Sequence, residues 1–213
     1  MLMTLFLLLI FIAVGAGLWF QGLWSVAITL INLLLAMLIA TNLWEPICSL
    51  VESLGGGSLT YLLDFVVLWI LFGVTFSILR GITDLLSRKR VQFILPVEMA
   101  GRSILSIWCA WLVVCFTAFT LHTAPLASEN PLGAWSTPES KVFFGLGPDR
   151  MWLGLVQMTS RGAFSRGAFS GNTNPADANL NVETFDPNGD FLIRYHDRRA
   201  KFANPDLPLS VPR

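Results

Sequence analysis

The side chains able to do chemistry are few, and their spacing limits what they can do. Asp186, Asn188 and Asp190 stand at alternate positions, as oxygen ligands do at the start of a calcium loop. Such a loop needs glycine at its sixth position and a bidentate Glu at its twelfth, and here Phe191 and Asp197 stand there, so an Asx-type turn is expected instead. His122 and His196 are the two histidines, and neither has a nearby Ser or Cys arranged as a nucleophile. Cys48, Cys109 and Cys115 lie in or beside apolar segments without CxxC or Cys/His spacing, the pattern of buried reduced thiols. Gly55 to Gly57 lacks the Lys-Ser/Thr ending of a phosphate loop. The reading is of a protein that is not an enzyme, with no catalytic residue, cofactor or metal assigned.

The sharper signals are polar groups inside apolar runs, because a carboxylate in hydrocarbon costs a few kcal/mol and normally faces an interior, a cavity or an interface. Asp64 is the main one. It is expected just under the headgroups near Tyr61, reaching water, with a place inside a helix bundle as the alternative. Asn32, like Thr75 and Ser77 beside Gly73, is expected to hydrogen-bond between helices. Arg88, Lys89 and Arg90 form a basic cluster that sets topology and can also attract anionic headgroups.

The elements that must carry these groups follow from hydropathy. The chain has 213 residues, 54% hydrophobic and only 13% charged, with zero formal net charge, so no uniform field draws nucleic acid. Residues 1–44 hold no charge at all. Only a helix or a closed barrel satisfies its backbone in lipid, and about 20 apolar residues cross the hydrocarbon core. Four segments meet that length: 2–20, 23–42, 59–79 and 103–121. The reading is an all-α integral membrane protein with a four-helix transmembrane domain over 1–122 and a mostly irregular polar tail over 123–213.

Gly22 is expected to turn the chain in a tight hairpin between the first two spans, Gly55 to Gly57 to stop a short amphipathic stretch after Glu45-Pro46, and Pro96 to close the apolar stretch from Val91. In the tail, Trp152, Leu155, Val156 and Met158 suit an interfacial helix near 150–158. The tandem Ser-Arg-Gly-Ala-Phe of 160–169 is too short for a solenoid. From Gly171 to Arg213 the six Asn, five Asp and five Pro point to a disordered or loosely attached chain. Arg80, Arg88, Lys89, Arg90 and Arg102 all fall between spans three and four, so the positive-inside rule puts that loop in the cytoplasm and both termini in the periplasm. The uncharged N-terminus lacks the basic region of a signal peptide and is expected to be retained.

Four helices, a glycine turn after the first, a basic loop and a glycine-led last helix resemble the colicin V production protein family over about residues 1–122. Gly17-Leu18-Trp19-Phe20-Gln21-Gly22-Leu23 is similar to that family's first turn, and Glu98 and Gly101 in Pro96-Val97-Glu98-Met99-Ala100-Gly101 match its acidic residue and glycine before the last helix. Gln21 departs from the family's usual Arg or Lys, and Val26 from a frequent acidic residue. The resemblance implies a non-enzymatic bacterial inner-membrane protein supporting toxin production or export, or envelope homeostasis, with the bilayer, other membrane or export proteins, or further copies of itself as partners. A small channel or transporter is the alternative, in which Asp64, Asn32 and Gln21 would line a polar path.

Overall fold

The computed structural model describes residues 2–55, 60–87, 94–124, 126, 134–135, 137, 139–160, 185–186 and 189–203. Among them the fold is all-helical: α1 (Leu2–Trp19), α2 (Leu23–Gly55), α3 (Thr60–Leu86), α4 (Leu95–Thr123), α5 (Pro148–Ser160) and α6 (Phe191–Ala203). The first four are long and apolar enough to cross a membrane. At 1.5 Å per residue α2 extends about 50 Å and α4 about 44 Å, longer than a hydrocarbon core of about 30 Å.

The four long helices form two antiparallel pairs. Trp24 Nε1 donates to Ser87 Oγ at 2.7 Å and Asn32 Nδ2 to Thr83 Oγ1 at 2.8 Å, which sets the start of α2 beside the end of α3. Arg102 of α4 lies over the Trp19 ring of α1 at 5.0 Å, while Met3 and Leu7 at the other end of α1 pack with Val114 and Ala118 of α4. The bundle therefore has a loop end, holding the α1–α2 turn, the end of α3 and the start of α4. At the opposite tail end, α5 and α6 pack on the long helices. The core thickens toward that end through Phe116, which meets Phe72 at 5.1 Å and Trp152 of α5 at 5.6 Å.

Several boundaries differ from the sequence-based expectation. The second helix does not stop near residue 42 but runs through Pro46 to Gly55. An interior proline removes one backbone bond and costs about 3 kcal/mol. Fully buried Trp44 and Cys48 on either side anchor the helix across that defect. Pro96 opens α4 within its first two positions, where its missing N–H has no bond to lose, so the helix starts eight residues before the expected span. Gly22 does not use a left-handed conformation; its carbonyl accepts the Val26 N–H at 3.1 Å and so begins α2. The tail is more structured than expected. α5 covers the interfacial helix expected near 150–158, while α6 falls in a stretch expected to be loosely attached. Arg88, Lys89, Arg90, Gly56, Gly57, Asn188 and residues 161–169 of the repeat lie outside the described residues.

Candidate functional site

The densest polar chemistry lies at the tail end, where side chains from α3, α4, α5 and α6 meet in a buried lock. Asp64 sits in the second turn of α3 and is 1% exposed. It is therefore not the water-reaching interfacial carboxylate that was expected. Its Oδ2 accepts Arg198 Nη1 at 2.8 Å and Tyr195 Oη at 3.1 Å, both from α6. Tyr195 and Arg198 are three residues apart, so one face of a helix presents both donors. The Tyr195 ring packs on Phe191 at 4.6 Å and reaches Trp44 of α2 at 6.4 Å.

Beside this pair, His122 in the last turn of α4 lies between Asp149 and Arg199. His122 Nε2 is 2.9 Å from Asp149 Oδ2 and its Nδ1 is 3.2 Å from Arg199 Nη1. A guanidinium can only donate, so Nδ1 accepts, and the proton belongs on Nε2, which donates to the carboxylate. The hydrogen-bond pattern thus assigns His122 as a neutral imidazole. Asp149 occupies the first turn of α5, where the free N–H groups favour negative charge. Trp135 closes the group: its ring is 4.1 Å from the His122 ring, with Arg199 5.6 Å from its centroid.

The lock holds two carboxylates and two guanidiniums around a neutral imidazole, so its formal charge is balanced. That balance matters because Arg198 and Arg199 are only 4% and 2% exposed, and an unpaired buried charge costs several kcal/mol. Burial pulls the Arg199 guanidinium down to about 10 against the opposing attraction of Asp149. Burial pushes the Tyr195 phenol well above 10, and the Asp64 charge adds to it, so Tyr195 remains a proton donor throughout the neutral range.

α6 reaches this position through a capped start. Asp186, at φ 47°, accepts the Asp190 and Phe191 N–H groups on Oδ1 at 2.9 and 3.2 Å, and Gly189 at φ 68° completes the turn. Burial and a hydrogen bond with Asp190 push the Asp186 carboxyl up, with Arg194 opposing from 3.5 Å. The Asp186 carboxylate, expected in an Asx-type turn, accepts from N–H groups four and five residues on and so caps the start of α6. No group of three or more metal-ligating side chains occurs among the described residues.

The remaining sequence candidates gather elsewhere. At the loop end, a Cβ on Gly22 would lie 3.4 Å from Glu98 Oε1, and one on Gly101 would lie 2.8 Å from Leu23 Cδ1. The first turn and the acidic stretch that carry the family resemblance therefore touch. Gly17 has open space around it. Gln21 Oε1 accepts from Ser25 Oγ at 3.1 Å, and Val26 is fully buried, so the two positions that depart from the family pattern sit in or beside the α2 packing face.

Asp64, Asn32 and Gln21 each bond a different neighbour. Sequence reasoning missed Asp149, Tyr195, Arg198 and Arg199, and set His122 aside. The available signal was Phe191 and Tyr195 one turn apart behind an Asp cap. Comparison with protein-family profiles, with curated proteins and with solved structures returns no match.

Proposed function

We propose that this chain is a non-enzymatic, multi-pass protein of the bacterial inner membrane, of the colicin V production type, that supports toxin production or export, or envelope homeostasis, by engaging protein partners. Its basic loop between α3 and α4 faces the cytoplasm and both termini face the periplasm, so the tail end of the bundle is the periplasmic surface. The observation that carries this reading is the fate of Asp64. The carboxylate that the channel alternative would place in a polar path is bonded by two side chains of the tail, which is the chemistry of a clamp holding an external surface on a membrane bundle.

The test is cysteine labelling in intact cells by an impermeant reagent, in a background without native cysteines, paired with toxin release and envelope-stress assays in cells lacking the protein. Glu139→Cys labels and Ser87→Cys does not; the reverse inverts the topology. Lock-breaking variants at Asp64 or Arg198 lower toxin release or raise the stress response. The channel alternative displaces this reading if proteoliposomes carrying the wild-type chain pass ions and Asp64→Asn stops the flux.

A further inference from the structure

A cavity of about 540 Å³ lies between the first two turns of α1 and residues 134–135 and 140–145. Leu5, Leu8, Val142 and Phe143 wall it, and Thr4, Ser140 and Lys141 bring the polar side chains. Its volume is in the roughly 300–1,000 Å³ range of small-molecule sites, which are mostly apolar with a few placed polar groups.

The surroundings identify the occupant. Leu5 and Leu8 belong to the outward face of α1, which continues through exposed Leu9 and Ile12 on a helix apolar enough to cross a membrane. On the other side, Phe144 and Leu146 expose large apolar side chains from a segment that is not helical. Apolar side chains at that place suit the headgroup boundary rather than water. Among the described residues lining the cavity, Lys141 is the only charged one, and it is exposed. One cation beside an apolar cavity that borders the outward helix face complements a molecule with an anionic head and a hydrocarbon chain. The cavity wall is also held against local preference: Trp135, Phe143 and Phe144 have φ of 55°, 55° and 56°, which bulky residues adopt only where their surroundings impose it.

We infer that this cavity binds one acyl chain of an anionic phospholipid, with the headgroup phosphate on Lys141. The inference rests on the reading that α1 to α4 lie in a bilayer. It is tested with the full chain in nanodiscs of phosphatidylglycerol or phosphatidylcholine, each containing a trace of the same phospholipid with a diazirine in its acyl chain. After photolysis, labelled residues are mapped by mass spectrometry.

The label concentrates on Leu8 and Phe143 over Ile12, and phosphatidylglycerol labels more than phosphatidylcholine. Lys141→Gln cuts that headgroup preference about fivefold, the weight of one basic residue at an anionic surface. Leu8→Trp, at a partly exposed position, fills the cavity and removes the Phe143 label while Ile12 keeps its own. Equal labelling of Ile12 and Phe143, or an unchanged preference in Lys141→Gln, overturns the site. A wild-type Phe143 that takes no label overturns the lipid assignment and leaves the cavity to a protein segment. A chain that does not float with lipid overturns the membrane reading itself, whereas one that floats and labels uniformly overturns only the pocket.

Discussion

The two ends of α3 each hold an ionised side chain against other helices, about 24 Å apart by the rise of the helix, and they handle it differently. At the loop end Arg80 donates to Thr29 at 2.8 Å, Ser25 at 3.2 Å and Asp84 at 3.1 Å, with its side chain 30% exposed. At the tail end Asp64 is bonded by Arg198 and Tyr195 out of reach of water. The carboxylate that serves Arg80 is one turn away in its own helix, whereas the partners of Asp64 come from an element at the far end of the sequence. The contrast teaches that similar charge-assisted bonds tune the packing of a hairpin at one end and decide whether an element is attached at the other.

The largest effect expected is from Arg198→Ala, which takes the guanidinium from the buried Asp64 carboxylate and costs about 3–5 kcal/mol. α6 then comes away, and limited proteolysis within 191–203 of the detergent-solubilised protein reports it. The sharper form is the double variant Asp64→Leu with Arg198→Leu, which removes both charges and recovers most of the stability. A double variant as unstable as the single one breaks the comparison, because the loss would then lie in packing rather than in the buried pair.

Tyr195→Phe is a smaller break, about 1 kcal/mol, since Arg198 still serves Asp64. Its pH behaviour is more telling. The folded phenol is held above its unfolded value, so its contribution is complete below pH 10 and is lost as pH rises through the folded value. With Tyr61→Phe as background, ultraviolet titration shows no phenolate near pH 10 until the protein unfolds. A normal titration there would mean that Tyr195 meets water.

Arg80→Gln costs about 1 kcal/mol or less, because a third of its side chain is already in reach of solvent and its partners retain helical neighbours. A melting shift as large as that of Arg198→Ala would erase the difference between the ends. The smallest change is Gly101→Ala, below about 0.5 kcal/mol, since Leu23, whose Cδ1 and Cδ2 would lie 2.8 and 3.0 Å from the new Cβ, can swing its flexible side chain aside. A large loss there, rescued by Leu23→Ala, would show that the loop end is packed more rigidly than its exposure suggests.

The four long helices were legible because hydropathy is summed over many residues and tolerates local error. The continuation of α2 through Pro46 was not, since its support comes from Trp44 and Cys48 packing that no local pattern reports. Asp64 was legible as an unusual residue, but its environment depends on Arg198, 134 residues away. α6 escaped for a different reason: the buried face that should carry its apolar signature is completed by Arg198 and Arg199. Arginines read as solvated until their partners are known. The loop-end meeting of Gly22 and Glu98 was half legible, as two short motifs whose contact needed the fold.

The separation of Asp64 from Arg198 also has a meaning in time. At about 5–20 residues per second, the ribosome needs roughly 7–27 s to add the intervening chain. For most of that interval the first three helices exist with a carboxylate whose guanidinium partner has not been made. The nascent protein therefore carries a mark of incompleteness that is erased only when α6 arrives, so a product stalled before α6 lacks the guanidiniums that meet Asp64 Oδ2 and His122 Nδ1 in the folded chain.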